Sequence, residues 1–293
     1  MLVLDGRDLR HLGRQGRLLS RHVRFRSPAG SHKGVVTDGA AGLSVSEVGG
    51  ELSVEVLDAD TLELSEPYEL LMPVEPPEVW CAGVTYERSR DARIEESGSD
   101  VYARVYDADR PELFLKDAQC RRTVGPGRPI AIRSDSAWNV PEPEIGLVLG
   151  DRLEIVGYVI GNDVSSRDIE GANPLYIPQA KVFAGGCALG PAVYVPDDWD
   201  APLALRLRIE DAGGAELFAG TVSTAAMRRG FGELVSWLVR DNPVPPGSVL
   251  LTGTGLVPPD EFTLLPGHVV EIHVAEIGTL RNPVVRAADL LAR

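Results

Sequence analysis

The sequence predicts a mostly β protein with a few helices, and three observations carry that expectation. Short stretches such as Gly34-Val35-Val36, Leu43-Ser44-Val45 and Leu52 to Leu57 alternate with turn residues, as short strands do. Two apolar runs in the middle of the chain, Ile145 to Leu149 and Ile155 to Ile160, sit beside glycines and suit buried strands. Helical period is clearest in one place, where Phe231, Leu234, Val235 and Leu238 fall at i, i+3, i+4 and i+7.

Taken in order, residues 1–72 read as a small β-rich N-terminal domain. Arg7, Arg10, Arg14, Arg17, Arg21, Arg24 and Arg26 lie beside His11, His22 and His32, and a solvated or subunit-facing surface is the favoured reading over an anion patch. Pro73 to Pro77 is a linker by composition, so a second domain spans 73–293. Glu78 to Val84 reads as a buried strand, and the pattern turns helical from Glu87, with Val101, Tyr102, Val105 and Tyr106 one turn apart. In Arg110 to Lys116, a period of two puts Glu112, Phe114 and Lys116 on one face. Leu203 to Ile209 is an amphipathic strand, and Ser223 or Thr224 begins the approach to the helix that Asp241-Asn242-Pro243 ends. Val249 to Gly255 is a strand running into a glycine turn, where backbone N–H groups can approach an anion and Thr254 can hydrogen-bond a carboxylate. Val269 to Val274 is read as the last strand, with His268 and His273 structural.

Composition narrows the function. The chain has 293 residues, 44% hydrophobic and 25% charged, with a formal charge of −14. Such acidity argues against nucleic acid or an anionic membrane as a partner, and an anionic substrate then needs a local positive centre. No apolar run approaches membrane-spanning length and no signal peptide is evident, so a cytoplasmic protein is expected. Cys81, Cys120 and Cys187 are far apart, lack metal-ligand spacing and read as buried free thiols.

The chemistry concentrates between Trp138 and Pro191. Glu142 and Glu144 are two apart, so on a strand both point the same way. Taken alone, such a pair is more often a solvated face. At the mouth of a buried strand, however, the carboxylates repel each other, and a hard cation resolves the conflict. Asp163, after the second apolar run, can supply a third oxygen, leaving about half of an octahedral Mg²⁺ shell open. Lys181 emerges from apolar and small residues and, desolvated near a metal, could act as a base. Arg167 and Asp168 read as an ion pair bracing the loop. Glu112 is either a general acid/base or a surface carboxylate beside Arg110.

The string Gly157-Tyr158-Val159-Ile160-Gly161-Asn162-Asp163-Val164-Ser165-Ser166-Arg167-Asp168, then Lys181, then Leu189-Gly190-Pro191, resembles the fumarylacetoacetate hydrolase superfamily over about residues 75 to 285. The resemblance implies a mixed β-sandwich roll behind a small N-terminal domain, usually a homodimer or homotetramer. It puts the metal ligands at Glu142, Glu144 and Asp163, the active-site lysine at Lys181, and substrate contacts at Phe114, Lys116, Arg167 and Thr254. The family's G-x-N-Y-x-x-H segment falls on Gly83 to Ser89, where Ser89 replaces the histidine that supports hydrolysis. Glu95 and Glu96 are weak substitutes. The forms Arg110-Pro111-Glu112-Leu113-Phe114, Pro174-Leu175-Tyr176-Ile177-Pro178-Gln179-Ala180-Lys181 and Thr252-Gly253-Thr254-Gly255 look most like the branch that dehydrates 2-keto-3-deoxy-D-arabinonate. The expectation is therefore a Mg²⁺-dependent hydro-lyase (Mn²⁺ or Ca²⁺ being the other candidates) with Lys181 as base and Glu112 as acid, or the two exchanged. The alternatives are hydrolysis of an acylpyruvate or β-diketone and decarboxylation of oxaloacetate. A catalytically idle metal-binding protein is the reading from another class.

Overall fold

The computed structural model describes residues 20–40, 42–88 and 101–292, the side chains of 101–103 excepted. His11, Ser89, Glu95, Glu96 and the arginines at 7, 10, 14 and 17 lie outside the described residues. The fold is mostly β, with 46% strand and 14% helix.

Seven strands matter most: β1 (Ser20–Ser27), β2 (Glu78–Gly83), β3 (Glu112–Ala118), β4 (Pro143–Leu149), β5 (Ile155–Asp163), β6 (Cys187–Val195) and β7 (Val249–Leu251). The main sheet runs from Glu63–Leu64 through Ser53–Asp58, Gly42–Glu47 and Gly30–Gly39 to β1, β6, β5, β4, β7, β2 and β3. All seven residues of β4 are buried, as are eight of the nine in β5. That is why both read as continuous apolar runs rather than alternating ones: each has its two faces covered. Strands of the segment expected as an N-terminal domain join this sheet through β1, which pairs antiparallel with β6.

A second sheet orders Ile130–Ile132, Gly278–Arg286, Val269–Val274, Ala204–Glu210 and Glu216–Ser223. Val269–Val274 is therefore not the last strand. Gly278–Arg286 follows it, disguised by Asn282 and Pro283; Asn282 is buried and donates to the carbonyls of Gly125 and Arg128 at 3.0 and 2.7 Å. One core joins the sheets, with Phe25, Val45 and Leu62 in the same cluster as Ile145, Ile160, Leu207, Ile272 and Leu280.

The surface reading of the basic N-terminal stretch fails at two positions. His22 is 1% exposed and Arg24 is 7% exposed. The cause is the place of β1 in the sheet, flanked by Gly30–Gly39 on one side and β6 on the other. Arg24 is satisfied by Glu75 at 2.9 Å and the Met72 carbonyl at 3.1 Å, whereas neither ring nitrogen of His22 has a hydrogen-bond partner. Cys81 and Cys187 are buried thiols, and Cys120 is half-buried. No helix among the described residues is long and apolar enough to cross a membrane.

Candidate metal centre and active site

The β4–β5 hairpin carries the three acidic residues to one end of the sheet. Pro143 lies opposite Asn162 and Glu144 opposite Gly161, so Glu142 and Asp163 end up side by side. The Asp163 N–H donates to the Glu142 carbonyl at 2.9 Å, and the Glu142 N–H to Asn162 Oδ1 at 3.2 Å. Glu142 falls just outside the strand, yet these bonds hold its backbone as a strand would. Glu142, Glu144 and Asp163 each offer an oxygen within 4.8 Å of the others, and all three are buried.

Each carboxylate has a different partner set. Lys181 ends α2 (Ile177–Lys181), which follows α1 (Arg167–Ala172). Its Nζ donates to Glu142 Oε2 at 2.8 Å, Asp163 Oδ2 at 3.1 Å and Ser165 Oγ at 2.5 Å. Lys116, 1% exposed on β3, is in ion-pair contact with Asp163 Oδ1 and donates to the Val164 carbonyl at 2.9 Å. Arg167 Nη1 donates to Glu142 Oε1 at 3.2 Å. Glu144 Oε2 accepts from the Gly253 N–H at 2.6 Å. Burial, then the neighbouring Asp163 and Glu142 charges, raise the Glu144 carboxyl well above its ordinary range.

The anion that the glycine turn approaches is thus the protein's own Glu144. Gly253 has φ of +89°, and a Cβ there would stand 2.1 Å from Thr85 Oγ1 and 2.9 Å from the Ala82 carbonyl oxygen. Glycine is needed on both counts.

Around the triad is a small pocket lined by Ala82, Gly83, Val84, Glu112, Phe114, Glu170, Lys181, Gly253 and Thr254. Larger cavities of about 560 and 590 Å³ lie elsewhere and contain none of the triad, so chemistry rather than size identifies the site. Of the residues expected from the sequence, Glu112, Phe114, Lys181, Thr254 and the three ligands meet here. Lys116 and Arg167 do not line the pocket; they back the carboxylates from inside the protein. Asp168 does not serve as the expected partner of Arg167: it accepts from Ser136 Oγ at 2.5 Å and the Ala137 N–H at 2.8 Å. The Thr254 hydroxyl bonds the Leu256 backbone at 3.2 Å. Glu170, Ser165 and Gly83 went unrecognised in the sequence. Glu170, 3% exposed, sits three residues after Arg167 on α1, a helical spacing that could have pointed to it.

The donor set fits a hard divalent cation: three carboxylates, no thiol and no imidazole, with ligand atoms close enough to close on one ion.

The chain resembles known proteins in sequence and in fold. A dehydratase of Saccharolobus solfataricus, named 2-dehydro-3-deoxy-D-arabinonate dehydratase, is 45% identical over 218 residues, 72% of this chain and 73% of its own. A protein of Haloferax volcanii named "Probable 2-keto-3-deoxyxylonate dehydratase" is 51% identical over 215 residues, covering 73% and 74%. The structure of a 2-keto-3-deoxy-D-arabinonate dehydratase complexed with magnesium and 2,5-dioxopentanoate superposes with a TM-score of 0.78 at 34% identity, covering 91% of this chain and 99% of that one. Residues 78–285 match the family described as fumarylacetoacetate (FAA) hydrolase C-terminal, and the chain belongs to that family.

Proposed function

We propose that the protein is a Mg²⁺-dependent hydro-lyase converting a 2-keto-3-deoxypentonate to 2,5-dioxopentanoate. The observation that carries the reading is the buried triad Glu142, Glu144 and Asp163, with Lys181 bridging two of its members and Glu112 lining the same pocket. It is supported by two relatives at 45% and 51% identity that bear dehydratase names, and by the magnesium and dioxo acid in the related structure.

Glu142, Glu144 and Asp163 hold the ion. When bound, it supplies a Lewis acid for the carboxylate and 2-oxo group of the substrate, which acidifies the C3 protons. One of Glu112 and Lys181 then removes a C3 proton, and the other delivers a proton to the departing C4 hydroxyl, releasing water. Lys181 donates to Glu142, Asp163 and Ser165 as an ammonium does, which suits it to delivery. Glu112 takes the C3 proton, the reverse of the first order considered from the sequence. The C3–C4 alkene left behind carries a hydroxyl on C5, and tautomerisation through the C4–C5 enol gives the C5 aldehyde. Phe114 packs its ring 5.8 Å from Lys181 Nζ, an apolar wall on one side of the donor. Thr254, in the loop after β7, is the substrate contact across the pocket, and Lys116 and Arg167 act through the carboxylates they pair with.

The test is an NMR time course with Mg²⁺ and each C4 epimer of 2-keto-3-deoxypentonate, with acetylpyruvate and oxaloacetate in parallel. Chelator-sensitive growth of 2,5-dioxopentanoate is expected. Acetate or pyruvate with no dioxo acid would overturn the reading. A cytoplasmic location, in keeping with three free thiols, is part of the proposal. So is a homodimer or homotetramer, which light scattering checks.

A further inference from the structure

Glu112 lies directly opposite Gly83 where β3 runs antiparallel to β2. Residues so paired put their side chains on the same face of the sheet, with Cβ atoms about 4.5–5.5 Å apart. Glycine leaves its place on that face empty, and the Glu112 side chain occupies it. A Cβ added to Gly83 would stand 2.1 Å from Glu112 Oε2 and 2.7 Å from its carboxyl carbon. The backbone of Gly83 has no positive φ, so what it requires is room and not conformational freedom.

The next residues show why the backbone cannot give way. Val84 has φ of +52°, a strained conformation for a β-branched residue. It is held there by its neighbours: Thr85 Oγ1 donates to the Thr252 carbonyl at 2.6 Å, the Arg228 N–H donates to the Thr85 carbonyl at 3.0 Å, and Tyr86 bridges to Met227. Any atom added at position 83 therefore moves the flexible carboxylate and leaves the strand in place.

We propose that Gly83 is a positioning residue of the dehydration: by having no side chain, it seats the Glu112 carboxylate at the place from which it exchanges its proton with substrate. The proposal rests on the reading of Glu112 as the group that takes the C3 proton. Displacement by one methyl group is enough to matter, since about 1 Å of misplacement can cost on the order of 10²-fold in rate.

The experiment compares Gly83→Ala, Glu112→Gln and the double variant for melting temperature, Mg²⁺ affinity by calorimetry, kcat and KM. Gly83→Ala is expected to keep its fold, its Mg²⁺ affinity and, within about threefold, its KM, while kcat falls by roughly 10–100-fold. Glu112→Gln is expected to lose about 10²-fold or more in kcat. The double variant should then be no slower than Glu112→Gln, because a seat without a working carboxylate has nothing to position. Native kcat in Gly83→Ala beside a crippled Glu112→Gln would overturn the role of Gly83 alone. Native kcat in Glu112→Gln would overturn the acid–base reading and this proposal with it. Additive losses in the double variant would also overturn the proposal, since Gly83 would then act without Glu112. Should Gly83→Ala misfold, Glu112→Asp decides instead. It withdraws the carboxylate from its seat by one methylene with the backbone untouched, and native kcat there would refute the positioning.

Discussion

His22 is a buried imidazole with no hydrogen-bond partner on either nitrogen, and burial alone pushes its pKa from 6.5 down to about 4. The group is neutral in the folded chain but takes a proton in the unfolded chain once pH drops below 6.5. Stability is therefore fully present above that value and is lost as pH falls from about 6.5 towards about 4, the range in which the unfolded state binds one more proton. Linkage between the two values gives a loss of about 2 kcal/mol on going from pH 7 to pH 5. His22→Leu removes the titration and strands no partner. It should match or exceed the native chain at pH 7, since an unsatisfied buried polar group is removed. Its advantage should grow by about 2 kcal/mol at pH 5. Urea denaturation of both proteins at the two pH values measures this, and the difference cancels carboxylates common to both. Parallel pH dependence in the two proteins would refute the assignment, and so would a net destabilisation at pH 5.

Asp163→Asn should lower Mg²⁺ affinity by more than the roughly 10–100-fold seen when groups that only orient ligands are lost, and should abolish turnover; intact binding and turnover would show that the metal sits elsewhere. Gly253→Ala places a side chain at φ of +89° and against Thr85 Oγ1, so thermal melts should register a loss of about 2 kcal/mol or more, together with weaker Mg²⁺ binding through Glu144. Burial raises the thiol pKa of Cys120 and of Cys187 to about 12 and that of Cys81 well above its usual value, so no thiol should react quickly with a disulfide reagent at pH 8 until the chain is unfolded. Because the Glu144 carboxyl is raised, Mg²⁺ binding near neutral pH should release a proton, detectable as a calorimetric heat that scales with buffer ionisation enthalpy; a buffer-independent heat would contradict it.

Much of the site was legible because it is built from local patterns. Glu142 and Glu144 two apart, and Asp163 at the end of an apolar run, need only strand alternation and one hairpin to converge. Glu112 and Phe114 share a pocket for the same reason of period. What stayed hidden depends on pairing across long stretches of chain. Lys116 looks like Glu112 and Phe114 in periodicity, yet it is the extra residue at a bulge in β3, where the register against β2 shifts, and it is buried against Asp163, forty-seven residues on. The same holds for Gly83 against Glu112 and for Gly253 against Glu144: nothing in a run of small residues says which carboxylate will lie over it. His22 and Arg24 misled because charge marks a surface only on average. A strand inside a sheet buries most of its middle residues whatever their charge, Arg26 near its end staying exposed, and it is sheet order that puts β1 inside.

The charges around the triad divide its members unequally. Glu142 faces Arg167 and Lys181, and Asp163 faces Lys116 and Lys181, so both are neutralised by the chain's own cations. Among the described residues, Glu144 accepts a hydrogen bond only from the Gly253 amide, and it is the carboxyl pushed upward. Two of the carboxylates are thus paired with the chain's own cations, whereas the third is buried beside two like charges. Such a site is pre-organised yet incomplete. Its cation-backed oxygens limit reorganisation on binding, whereas at Glu144 a dication has to displace the proton that the raised pKa favours. Lys116 and Arg167, buried and outside the pocket, contribute at this level: removing either leaves the three carboxylates in the chain but takes a counter-charge away from a dry interior.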